Sequence, residues 1–114
     1  ILTVFGCGGD RDKTKRPKMA AAVERWSDLA IVTNDNPRTE DPDQILAEIT
    51  KGFQGRAYEV IPDRACAIGR ALSLARPGDC VLIAGKGHED YQIFHDQTIH
   101  FDDREVARAF LSRR

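Results

Sequence analysis

Leu29-Ala30-Ile31-Val32-Thr33 runs into Asn34-Asp35-Asn36-Pro37-Arg38-Thr39-Glu40, then into Asp41-Pro42 and a segment carrying Ile45, Ile49 and Phe53. The first five residues are continuously apolar, ending in β-branched Ile31, Val32 and Thr33. That is the pattern of a strand covered on both faces in a parallel sheet. Ile45, Ile49 and Phe53 recur at i, i+4 and i+8, which puts them on one face of a helix. Asp41 is placed to cap that helix and Pro42 to fill its first position. A polar loop joins strand to helix, and this unit decides the fold because it recurs on either side.

Upstream, Ile1–Phe5 is a second apolar run, leading into Gly6-Cys7-Gly8-Gly9-Asp10-Arg11-Asp12. A helical pattern follows, with Pro17 suited to the first turn and Met19, Ala22, Val23 and Trp26 on one face. Downstream, Ala57–Ile61 is a more mixed run, as suits a strand nearer an edge. Asp63 caps a segment carrying Ile68, Leu72 and Ala75, which Pro77-Gly78 ends. Cys80–Ala84 is a further continuous run, expected to be covered on both faces, and it opens into Gly85-Lys86-Gly87-His88-Glu89-Asp90. Tyr91–Phe94 and Gln97–Phe101 read as a hairpin around His95-Asp96. A last helix is capped by Asp102, with Glu105 at its third position and Val106 and Phe110 facing inward. The expected fold is α/β: a single Rossmann-like domain over 1–114. Its sheet is mostly parallel, with about six strands, helices on both faces and a C-terminal β-hairpin as an antiparallel edge.

The 114 residues suit one domain, and 41% hydrophobic with 31% charged is the balance of a folded globular chain. Seventeen Lys and Arg against 18 Asp and Glu leave a net charge of −1. That argues against nucleic acid or a membrane surface as partner, since either calls for a basic excess. No apolar run approaches the roughly 20 residues that span a bilayer. Cys7, Cys66 and Cys80 form no CxxC pair, which argues against a zinc ribbon or a disulfide framework and for a reducing, cytoplasmic compartment. The start inside a strand at Ile1 suggests a domain cut from a longer protein.

In an open α/β sheet, ligands bind beyond the carboxyl ends of the strands. The unusual residues of this chain follow the first, second and fourth strands, and the topology should bring those three loops to one edge. Gly6 and Gly8 fit the start of GxGxxG, but Arg11 stands where the third glycine belongs. The Lys86 loop is not a P-loop, because no Ser or Thr follows the lysine. The Gly8-Gly9 pair also has a simpler reading, as a strand-to-helix turn. The loops mix Arg11, Arg38, Lys86 and His88 with Asp10, Asp35, Glu89 and Asp90. A phosphate site would be one-sidedly basic, whereas both signs together suit a zwitterion such as an amino acid. An arginine can grip a carboxylate through two parallel hydrogen bonds, and an acidic side chain can accept from an ammonium. Pro37 stiffens the approach to Arg38, although Asp35 and Asn36 are also ordinary turn residues.

These loops carry a resemblance. GCGGDRDKTKRPKM (Gly6–Met19), TNDNPRTEDP (Thr33–Pro42), IPDRACAI (Ile61–Ile68), AGKGHEDYQ (Ala84–Gln92) and FDDREVA (Phe101–Ala107) together resemble the C-terminal domain of the Mur ligases, in the branch that adds meso-diaminopimelate. The Asp35-Asn36-Pro37-Arg38 segment is the most specific, since lysine-adding relatives differ at the arginine position. The resemblance implies part of an ATP-dependent amide ligase of peptidoglycan precursor synthesis. That enzyme joins meso-diaminopimelate to UDP-MurNAc-L-Ala-D-Glu through an acyl phosphate, acting in the cytoplasm as a monomer. ATP and Mg2+ would be held mainly by a central domain and the UDP-sugar by an N-terminal one, so this domain alone would hold neither cofactor and be inactive. Residue by residue, it implies diaminopimelate contacts at Arg11, Asp35, Asn36, Pro37, Arg38, Gly85 and Glu89. Arg38 is assigned to the distal carboxylate, Glu89 and Asp35 to the distal ammonium, and Arg11 to a second carboxylate. Lys86 and His88, with Arg11, are candidates for the ATP side. No residue of this domain is assigned to catalysis or to a metal.

Plainer readings stand beside these. Cys7 and His88 could pair as nucleophile and base, but a small buried thiol explains Cys7 equally well. Cys66 and Cys80 look like core, as does Trp26 on its helix face. Arg11–Arg16 reads as a solvated loop and helix start. His88, Glu89, Asp90, His95 and His100 match no metal-ligand spacing. A free-standing amino-acid-binding or regulatory module is the alternative to a ligase domain.

Overall fold

The computed structural model describes residues 1–86 and 89–113. In chain order the elements are β1 (Leu2–Phe5), α1 (Lys15–Trp26), β2 (Leu29–Val32), α2 (Pro42–Thr50), β3 (Tyr58–Val60), α3 (Arg64–Leu74), β4 (Val81–Ile83), β5 (Tyr91–Ile93), β6 (Thr98–His100) and α4 (Asp103–Ser112). The main sheet has the order β3-β2-β1-β4 and is parallel throughout. In register, Leu2 lies opposite Leu29 on one side and Val81 on the other.

Layering follows from which residues each helix buries. Phe5, Ala30 and Val32 pack with Ala20 of α1 and Ile45, Leu46 and Ile49 of α2 on one face. Val4 and Ile31 pack with Ala67, Ile68, Ala71 and Leu72 of α3 on the other, where Val106 and Phe110 of α4 join them. β1 and β2 are therefore apolar on both faces because both faces are covered. The helix starts come from local chemistry: Asp41 accepts from Asp43 N at 3.0 Å, Asp63 from Cys66 N at 3.0 Å and Asp102 from Arg104 N at 2.8 Å. No helix among the described residues is long and apolar enough to cross a membrane.

Four expectations are corrected. The main sheet has four strands rather than six, and the β5–β6 hairpin forms its own two-stranded antiparallel sheet. Its backbone binds a loop instead of a sheet edge: Ile93 O accepts from Arg38 N at 3.0 Å. β4 is an edge strand, and Leu82, on the face opposite α3, is 51% exposed. Trp26 is 72% exposed rather than core. The inward stripe of α1 is Arg16, Ala20 and Val23, so a charged residue stands where the periodicity wanted an apolar one. Cys66 and Cys80 are likewise exposed, Cys66 in the first turn of α3 and Cys80 just before β4.

Candidate functional site

Because β1, β2 and β4 are parallel, the loops that follow them emerge at the same sheet edge. The first two are in direct contact. Gly9 N donates to Asn36 O at 2.7 Å, and a Cβ on Gly9 would lie 1.7 Å from Pro37 O, so only glycine permits this approach. Asp10 and Arg38 both take φ of +56°, the left-handed region that non-glycine residues rarely adopt. Cross-bonds hold both in place: Thr39 Oγ1 donates to Asp10 Oδ1 at 2.6 Å, Asp10 N to Glu40 Oε1 at 2.7 Å, and Arg38 N to Ile93 O at 3.0 Å. Arg38 is half-buried, and its Nη1 donates to Gly9 O at 3.0 Å and Asn36 O at 3.4 Å. In the third loop, Gly85 at φ +116° turns the chain out of β4.

Two buried arginines brace these loops. Arg16 is 1% exposed, and its guanidinium bonds both oxygens of Glu40 at 2.9 and 3.0 Å, Glu48 at 2.7 Å and Gly8 O at 3.1 Å. It thus joins the first loop to the second, which corrects the reading of Arg16 as part of a solvated run. Arg64, also 1% exposed, forks onto Asp103 at 2.7 and 2.8 Å. Its remaining donors reach Asn34 O at 3.1 Å and Ala84 O at 3.2 Å, the carbonyls next to Asp35 and Gly85. Sequence reasoning missed both. Arg64 stands within the IPDRACAI motif, whereas nothing local in the sequence marks Glu40 and Glu48 as partners of Arg16.

Arg16 holds the Glu40 carboxyl down at about 2, below its ordinary 4.5. The folded state therefore binds that proton less readily than the unfolded chain. The stabilisation from this pair is complete above pH 4.5 and is lost as pH falls towards about 2. The Glu40 side-chain carboxyl signal in an NMR titration is expected to show its midpoint at about 2. A midpoint near 4.5 would mean the two loops are not joined this way.

A cavity of about 360 Å³ opens between the first and third loops, with Arg11, Asp35 and Gly85 in its lining beside Gly6, Cys7 and Gly8. Three of the expected contacts are thus brought together there. Arg38 reaches this lining through Gly8, whose Cβ position would be 2.8 Å from Nη1. Asn36 and Pro37 are buried beneath it and shape the loop. Glu89 stands beside Asn36, with Asn36 Nδ2 3.4 Å from Glu89 Oε1. Lys86 is buried: its ammonium donates to Asp35 Oδ1 at 3.0 Å, Asn36 Oδ1 at 3.0 Å and Tyr91 O at 2.9 Å. The expected position of His88 lies outside the described residues. Burial raises the Cys7 thiol to about 11, so it is protonated at neutral pH, and it sits 3.6 Å from the Met19 sulfur. Both facts favour packing over nucleophilic chemistry.

The family model described as "Mur ligase, glutamate ligase domain" matches residues 1–87. The chain belongs to this Mur ligase family. Among its relatives, a protein of Nostoc sp. named UDP-N-acetylmuramoyl-L-alanyl-D-glutamate–2,6-diaminopimelate ligase is 61% identical, over all of this chain and 23% of its own length. A protein of the same name from Chlamydia trachomatis serovar D is 60% identical over 98% of this chain and 23% of its own. A solved structure bearing that ligase name superposes with a TM-score of 0.93, at 45% identity over 98% of this chain and 23% of that one. The chain therefore spans less than a quarter of the length of these relatives. The Mur ligase fold expected from the five motifs is the fold observed.

Proposed function

We propose that this chain is the C-terminal, amino-acid-binding domain of an ATP-dependent amide ligase that adds meso-diaminopimelate to UDP-MurNAc-L-Ala-D-Glu. The observation that carries the reading is the cavity lined by Arg11, Asp35 and Gly85, with Arg38 reaching its lining and Asn36–Glu89 alongside. Fixed cationic and anionic groups within one loop cluster complement an amino acid with a second zwitterionic end. The names of relatives about 60% identical over the whole chain support the same substrate.

In this reading, Arg38 takes the distal carboxylate, Asp35 and Glu89 accept from the distal ammonium, and Arg11 takes the second carboxylate. The domain's part in the chemistry is to hold the amino acid so that its free amine can attack an acyl phosphate. ATP supplies that activated phosphate, releasing ADP, and ATP with Mg2+ would be bound mainly by the remainder of the ligase. Of the ATP-side candidates, Arg11 is exposed at the cavity, whereas all three N–H groups of Lys86 are engaged inside the domain.

The test is selectivity in a complete ligase carrying these residues. Its kcat/KM for meso-diaminopimelate is expected to exceed that for L-lysine by about 100-fold or more, the worth of a desolvated two-bond carboxylate contact. Equal use of both amino acids would sink the reading.

A further inference from the structure

We propose that Lys86 is a positioning residue for the ammonium side of this site: buried between Asp35 and Asn36, it sets the two carboxylates that receive the substrate without touching substrate or nucleotide. The inference rests on the reading of these loops as a diaminopimelate site.

Three observations carry it. First, the Lys86 side chain is 0% exposed and its three N–H groups meet three acceptors at 2.9–3.0 Å, so none is left over for a ligand. Second, Lys86 holds only one oxygen of Asp35. The other, Oδ2, faces Gly85 across the cavity lining, 3.7 Å from where a Cβ on that glycine would lie. Third, Asn36 Oδ1 accepts from both Lys86 Nζ and Ile93 N, the latter at 2.9 Å. That fixes which way round the amide sits and turns Nδ2 towards Glu89. One buried cation thereby orients both acidic groups. It also leaves Lys86, Asp35 and Glu89 with one negative charge in excess, which a substrate ammonium would neutralise.

The hairpin completes the arrangement. Tyr91 O is the third acceptor for Lys86, and Gln92 Nε2, itself buried, donates to Asp35 O at 2.8 Å. The backbone and the side chain of Asp35 are therefore held by different elements, Gln92 on β5 and Lys86 on the loop after β4.

The experiment is steady-state kinetics of the complete ligase with Lys86→Met, alone and combined with Asp35→Asn. Lys86→Met is expected to raise the KM for diaminopimelate about 10- to 100-fold, by analogy with the loss on removing a group that orients a metal-ligating side chain. The KM for ATP should stay within about twofold, and the loss should be smaller in the Asp35→Asn background, because both changes act through one group. A raised KM for ATP with the diaminopimelate KM unchanged would overturn the proposal, since Lys86 would then serve the nucleotide. So would a fall in kcat alone, or equal losses in both backgrounds. If Lys86→Met does not fold, Lys86→Arg, which keeps the buried charge but not the three-way geometry, must show the same split in KM. If Asp35→Asn and Arg38→Ala leave the diaminopimelate KM unchanged, the site reading itself fails. If they raise it and Lys86→Met does not, only this inference falls.

Discussion

Replacing Arg38 by alanine in a complete ligase carrying this domain is expected to raise the KM for meso-diaminopimelate about 100-fold or more. The backbone of Arg38 is committed before any ligand arrives. It takes φ +56°, a conformation disfavoured for a side chain of this size, and Arg38 N is tied to Ile93 O at 3.0 Å. Among the described residues only Nη1 of its guanidinium is engaged, on Gly9 O and Asn36 O. That leaves the Nε–Nη2 edge for a carboxylate, the same edge with which Arg64 grips Asp103. Lysine, which lacks the distal carboxylate, should lose little from the substitution. Arg38→Lys should behave more like alanine than like the native residue, because a single ammonium cannot reproduce the two-bond fork. A near-normal KM for Arg38→Ala would show that the distal carboxylate is held elsewhere.

The second large effect concerns stability. Arg64→Met is expected to cost about 3–5 kcal/mol in urea denaturation, the usual cost of breaking a buried ion pair from one side. The substitution strands the Asp103 carboxylate away from water, removes the donor to Ala84 O and leaves Asn34 O only the longer 3.5 Å bond from Gln92 Nε2. Arg70→Met is the control. Arg70 pairs with Glu59 at 3.0 Å with side chains 46% and 34% exposed, so its loss should fall within about 0–1 kcal/mol. Equal costs for the two variants would mean that burial does not decide the worth of the Arg64 pair.

What could be read from the residues, and what could not, divides by range. The caps at Asp41, Asp63 and Asp102 act over two or three residues and were readable from spacing alone. The three loops were placed together correctly because parallel topology leaves little choice of edge. The hairpin was misplaced because its partner, the Asp35–Arg38 loop, is joined to it through Arg38 N and the side chains of Asn36 and Gln92, which in sequence look like ordinary turn and strand residues. Arg16, Arg64 and Lys86 defeated pattern reading for a different reason. Periodicity counts a charge as a surface residue, and only the fold reveals that Glu40 and Glu48, 24 and 32 residues away, make burial of Arg16 tolerable. The same blindness put Met19 and Trp26 on the inward face of α1 in place of Arg16 and Ala20.

The strand order β3-β2-β1-β4 also imposes a timetable on synthesis. As the polypeptide leaves the ribosome, β1, β2 and β3 can pair in turn with the two helices between them. The other edge of β1 stays bare until residues 81–83 emerge. A nascent chain halted before that point holds the first two loops but no Lys86, and so lacks the buried cation that bonds Asp35 and Asn36. In that interval it also presents an apolar strand with unpaired peptide groups, the kind of edge that recruits other chains. Closure by β4 therefore ends a vulnerable stage of biogenesis and brings Gly85 and Lys86 against the second loop in one event.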